Sequence, residues 1–181
     1  IGLCLDACHF AVAFERPAAL RTALPVVKAQ VSCAVQADRP RDPATARALA
    51  SFAEPRFLHQ TREASEAQVL SCDDLAEALR AGAALPGRRP WRVHFHVPVH
   101  APLAPPLRST QDELRGVLAA LAGGPRPRTT HLEVETYTWP VLPGAPRAGS
   151  ASGSAAGLVE GIAAELDWTR QHLTSLGLKE L

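Results

Sequence analysis

The sequence predicts an α/β fold built from four β-α units, the content of half a (β/α)8 barrel or of a small doubly wound sheet. Four short runs alternate apolar with polar residues, and helix start and stop signals lie between them. A further observation favours the barrel. Strands of an ordinary α/β core carry aliphatics on both faces, whereas each of these keeps polar groups on one face. Four polar faces imply a shared polar interior, as in a barrel with a site at one mouth.

The first run, Gly2-Leu3-Cys4-Leu5-Asp6, sets Leu3 and Leu5 on one face and Cys4 and Asp6 on the other, with His9 just past its end. A carboxylate ending an apolar run is costly unless something cationic meets it, and a divalent metal is the economical partner. The alternative is an Asp that caps the next helix and a His packed in a loop. Pro17 to Ala23 reads as a short helix ended by Pro25. The second strand, Val27 to Cys33, alternates Lys28, Gln30 and Ser32 against Val27, Ala29 and Val31. Asp42-Pro43 opens a helix to about Phe52. Glu54 to Ser65, which carries His59, is ambiguous and fits a long loop.

Asp73 to Ala83 is amphipathic, with Leu75 and Leu79 on one side, and Pro86 to Pro90 breaks the chain before the third strand. That strand, Val93 to Val97, carries His94 and His96 on its polar face. A proline-rich loop, His100 to Leu107, leads to the capping box Thr110-Gln111-Asp112-Glu113 and a helix to Leu121, stopped by Gly123-Gly124-Pro125. The fourth strand, Leu132 to Thr136, presents Glu133 and Glu135. Residues 144–157 read as a flexible Gly/Ser/Ala loop, followed by a helix from about Leu158 to Leu173 that buries Leu166 and Trp168.

A chain of 181 residues with a formal net charge of +1 fits one ordinary soluble domain. The near-neutral balance argues against a nucleic-acid groove or an anionic membrane surface as the main partner. No apolar run approaches the roughly 20 residues of a membrane span, and no secretory signal pattern opens the sequence, so a cytoplasmic location is expected. Cys4, Cys8, Cys33 and Cys72 form no C-x-x-C pair and read as reduced. The sequence has no Met and starts directly on a strand, which suggests that residues 1–181 are the C-terminal portion of one barrel whose N-terminal half is absent.

Asp6-Ala7-Cys8-His9-Phe10, Lys28-Ala29-Gln30-Val31-Ser32-Cys33, His94-Phe95-His96-Val97-Pro98-Val99-His100 and Leu132-Glu133-Val134-Glu135-Thr136-Tyr137-Thr138-Trp139 together resemble the EboE-type metabolite traffic family. More broadly, Gly2-Leu3-Cys4-Leu5-Asp6-x-x-His9 resembles the fifth-strand motif of the xylose-isomerase-like TIM barrels, the superfamily of sugar and sugar-phosphate isomerases, epimerases and endonuclease IV repair nucleases. The resemblance runs from Ile1 through Pro143. It implies a fifth-strand Asp ligand followed by a His for metal or substrate, a sixth-strand ligand and an eighth-strand Glu. By position these roles fall on Asp6, His9, Gln30 and Glu135, with a further fourth-strand Glu outside this chain.

The expected metal set is therefore Asp6, His9, Gln30, His96 and Glu135, binding Mn, Mg, Co or Zn. Glu135, His9 and Lys28 are the expected catalytic residues: Glu135 as base or ligand, His9 as substrate or metal contact, Lys28 as an oxyanion partner or simply the partner of Glu133. His59, His94 and His100 are open candidates, while His131 and His172 are expected at the surface. The implied chemistry is isomerase- or epimerase-type proton transfer on a sugar or polyol-like small-molecule metabolite. The alternatives are non-catalytic, transport-associated metabolite binding and, disfavoured by Gln30 and by the lack of a basic groove, phosphodiester cleavage.

Overall fold

In the computed structural model, which describes residues 1–20, 24–66, 68–143 and 155–179, the chain opens on strand β1 (Leu3–Asp6) and turns at once into helix α1 (Ala7–Val12). Asp6 makes that turn by capping α1, so no loop separates the two. A single 3-10 turn at Pro17–Ala19 stands where a longer helix is expected, and residues 21–23 lie outside the described residues. The second polar-faced run is two strands, β2 (Val26–Val31) and β3 (Cys33–Ala37), with buried Ser32 between them. Next come α2 (Pro43–Ala50), β4 (Thr61–Ala64), β5 (Val69–Cys72) and the single turn α3 (Leu75–Ala78). Then follow β6 (Trp91–Val97), β7 (Leu107–Ser109), α4 (Gln111–Ala122), β8 (Leu132–Val134) and α5 (Ala155–Ser175).

The strands form two sheets, which corrects the expectation of half a TIM barrel with four β-α units. One sheet is parallel with strand order β1-β2-β8, and the other is antiparallel with order β5-β4-β6-β3-β7. A half barrel requires the histidine strand to lie parallel beside the second strand, in one continuous ladder. Instead β6 runs antiparallel to β3 and β4, and β8 takes the free side of β2. Alternation within a strand fixes which residues share a face, but parallel and antiparallel strands alternate alike. The second run therefore changes sheets at Ser32.

One large apolar cluster joins both sheets. It holds Leu5 and Val31 from the parallel sheet, Val35, Trp91 and Phe95 from the antiparallel one, and Leu114, Val117, Leu118 and Leu121 from one face of α4. The rings of Phe52 and Phe95 meet edge to face at 5.0 Å. The expected loop at 144–157 falls mostly outside the described residues; of its last three, Ala155 to Gly157 begin α5. Trp168 packs against the core as expected, but Leu166 is 53% exposed, another correction.

Candidate metal centre

The parallel sheet brings carboxylates to one row. Asp6 lies opposite Gln30 in β2, and Gln30 lies opposite Glu133 in β8, with Glu135 two residues farther along. Asp6 Oδ1 accepts hydrogen bonds from the backbone N–H of Cys8 at 2.8 Å and of His9 at 3.2 Å, and from the Ser32 hydroxyl at 3.0 Å. Ser32 Oγ in turn accepts from Cys8 N–H at 3.0 Å. These bonds fix the carboxylate through one oxygen, and the other, Oδ2, lies 3.9 Å from His9 Nε2. The capping role thus leaves one oxygen of Asp6 for a further partner.

Strand β6 delivers the histidines. His96 Nδ1 hydrogen-bonds the backbone carbonyl of Glu135, so the proton sits on Nδ1 and the lone pair on Nε2. Thr138 Oγ1 donates to the carbonyl of His96 and stitches the segment after β8 to β6. His96 Nε2, His94 Nε2 and Glu135 Oε2 are buried and have no hydrogen-bond partner. Such atoms are costly to bury unless a ligand completes them. Asp6, His96 and Glu135 each bring a donor atom within 4.8 Å of the others, and the same holds for Asp6, His9 and His94 and for Cys8, His94 and His96.

The electrostatics suit neutral imidazoles beside an anion. Burial, with the adjacent His9 and His96 rings, pushes the His94 ring down to about 3, and burial also lowers His96. Both are therefore unprotonated near neutral pH, with lone pairs free for a cation. Burial raises Glu135, as do the charges of Asp6 and Glu133, while Lys28 opposes them. A cation would relieve all three raising effects. The donor set fits a divalent metal.

His9 is exposed at the edge of the cluster, its ring stacked on His94 with centroids 3.9 Å apart. Gln30 hydrogen-bonds Glu133 and Lys28 pairs with the same carboxylate, which lowers Glu133 and raises Lys28. Both are thus committed to Glu133, and Lys28 reaches Glu135 only by its charge. His59 is fully buried with both ring nitrogens engaged, Nδ1 with His94 O at 3.1 Å and Nε2 with Glu54 Oε1 at 3.0 Å. It supports β6 from behind and has no nitrogen left for a metal. His100 and His172 lie on the far side, near Arg115 and Trp168; each has a buried unpartnered nitrogen, so His172 is not simply a surface residue. His131 is exposed.

Sequence reasoning missed Ser32 as the hydroxyl that orients Asp6, Cys8 as a neighbour of both histidines, and Tyr137. The Tyr137 ring lies 4.6 Å from that of His96, and burial together with nearby anionic groups pushes its hydroxyl up to about 12. A cleft of about 510 Å³ opens beside Asp6 and His9, with Cys4, Gln60 and Arg62 also in its walls. No protein-family model, no curated protein and no solved structure matches this chain. Among the described residues, no helix is long and apolar enough to cross a membrane.

Proposed function

We propose that this protein binds a divalent metal through Asp6, His96 and Glu135 and uses it on a small hydroxy-carbonyl metabolite, in proton transfer of the isomerase or epimerase type. The observation that carries this is the pair of buried unpartnered atoms, His96 Nε2 and Glu135 Oε2, within one ligand group with Asp6. When bound, Mn²⁺, Mg²⁺, Co²⁺ or Zn²⁺ would polarise a carbonyl and its neighbouring hydroxyl. Asp6 and His96 are held at their far atoms by hydrogen bonds, so they act as fixed ligands. Glu135 Oε2 has no such restraint, so with one carboxylate oxygen on the ion the other would take a proton from carbon next to the carbonyl. His9, at the edge of the cleft, contacts the substrate. The proposed kinship with EboE-type metabolite traffic proteins rests on the four sequence segments alone.

Elemental analysis of metal-loaded wild type, Asp6→Asn and Glu135→Gln tests the ligand set, and solvent deuterium incorporation into a panel of aldoses and ketoses tests the chemistry. The reading predicts lower metal content in both variants and exchange in the wild type only. Equal metal content in all three proteins would end it. One observation favours metabolite binding without turnover: the cleft is walled by Asp6 and His9 but not by His96 or Glu135. Metal and ligand binding with no deuterium exchange would select that reading.

A further inference from the structure

Behind the oxygen-rich ligand set lies a group of different chemistry. Cys8 is fully buried in the first turn of α1, and its sulfur lies within 4.8 Å of a ring nitrogen of His94 and of His96, which lie within the same distance of each other. The two imidazoles bring unpartnered Nε2 atoms, and His96 is 1% exposed. A buried thiol alone would be an inert packing group. Two buried, unpartnered ring nitrogens on the imidazoles beside it are what packing alone does not explain.

We propose that Cys8, His94 and His96 form a second, sulfur- and nitrogen-rich metal site that selects Zn²⁺ or Co²⁺ over Mg²⁺ and Mn²⁺. Thiolate and imidazole suit zinc and cobalt, whereas Mg²⁺ and Mn²⁺ favour carboxylate and water. Binding breaks the Cys8 S–H bond, forms a sulfur–metal bond and releases the proton to solvent, with no change of oxidation state. His96 Nε2 serves one ion at a time, so an ion in this site disables the one made by Asp6, His96 and Glu135. The site stands independently of the proposed function, since it needs neither Asp6 nor Glu135.

The test is a Co²⁺ titration of the whole chain followed by near-ultraviolet absorption, where a thiolate–cobalt bond gives a charge-transfer band that oxygen and nitrogen ligands do not. Wild type and an Asp6→Asn, Glu135→Gln double variant should both show the band. Cys8→Ser and His94→Gln should lose it or need far more Co²⁺, beyond the roughly 10–100-fold that loss of an outer-shell partner costs. Cobalt-loaded wild type should take up no Mn²⁺. A wild type without the band, a band that survives in Cys8→Ser, or Mn²⁺ uptake by the cobalt-loaded protein would overturn the proposal. If Cys8→Ser does not fold, wild type and His94→Gln decide, because retention of the band at unchanged Co²⁺ affinity in His94→Gln overturns it as well. Failure of the oxygen-rich site would show separately, as Mn²⁺ content that is equal in wild type and the double variant.

Discussion

Glu63 and Glu135 face opposite fates in the two sheets. Glu63, in β4 of the antiparallel sheet, is 2% exposed and accepts four hydrogen bonds, from the backbone N–H of Gly87, Arg88 and Arg89 and from the indole N–H of Trp91. Glu135, just past β8 of the parallel sheet, has a buried oxygen with no partner. Glu165 of α5 resembles Glu63, accepting from Val99 N–H, Thr136 Oγ1 and Trp139 Nε1. The fold can therefore satisfy buried carboxylates fully. That it leaves Glu135, at the end of the parallel sheet, open beside two open imidazoles from β6 of the antiparallel sheet marks the place where the two sheets meet as a place for a ligand.

The contrast is broken most severely at Glu63. Glu63→Ala strands the buried indole N–H of Trp91 and three partly buried backbone donors, and a loss of about 3 kcal/mol in denaturant-derived stability is expected. Gly87→Ala acts on the same arrangement from the donor side. Gly87 has φ +71°, and a Cβ there would meet Arg41 Cγ at 2.3 Å, so about 1–3 kcal/mol should be lost by the same measurement.

Asp6 sharpens the comparison because it belongs to both roles. Asp6→Ala removes the α1 cap and should cost about 1–2 kcal/mol in thermal or chemical unfolding. Asp6→Asn keeps an acceptor oxygen and should cost a few tenths, yet lower metal content. A metal content unchanged in Asp6→Asn would assign Asp6 to capping alone.

The smallest effect belongs to a surface carboxylate of the antiparallel sheet. A hydrogen bond from Gln36, with the Arg108 guanidinium, holds Asp38 below the usual carboxylate range. Its stabilising contribution is complete above the unfolded value of about 3.9 and is lost as pH falls through the depressed folded value. The pair is half exposed, so Asp38→Asn should cost well under 1 kcal/mol at pH 7 and nothing below the folded value. Denaturation midpoints of wild type and Asp38→Asn, followed as pH is lowered from 7 until the two coincide, check it.

Much of the site was legible because alternation exposes it. Leu3 to Asp6, Val93 to Val97 and Leu132 to Val134 are strands, and their polar faces supply Asp6, His94, His96 and the row that leads to Glu135. Strand direction and sheet membership were not legible. The run from Val26 to Ala37 carries no local sign that it serves two sheets. The hairpin of β4 and β5 was hidden for a different reason. Thr61-Arg62-Glu63-Ala64 buries a carboxylate whose donors lie about 25 residues away in a glycine turn, so local polarity reads as loop. The role of Ser32 was equally concealed, since its partners Asp6 and Cys8 meet it only across the β1–β2 junction.

Under the proposed function, the fold leaves Glu135 unsatisfied in order to hold a metal. The direct measurement is the denaturation free energy of wild type and Glu135→Gln, each with and without saturating Mn²⁺. Without metal the variant should be as stable as wild type within about 1 kcal/mol, or more stable, since it removes a charge whose buried oxygen has no hydrogen-bond partner. With Mn²⁺ at about 100 times its dissociation constant, wild type should gain about 2.7 kcal/mol and the variant little of it. A variant destabilised by several kcal/mol without metal, or one that gains as much from Mn²⁺ as wild type, would contradict the claim.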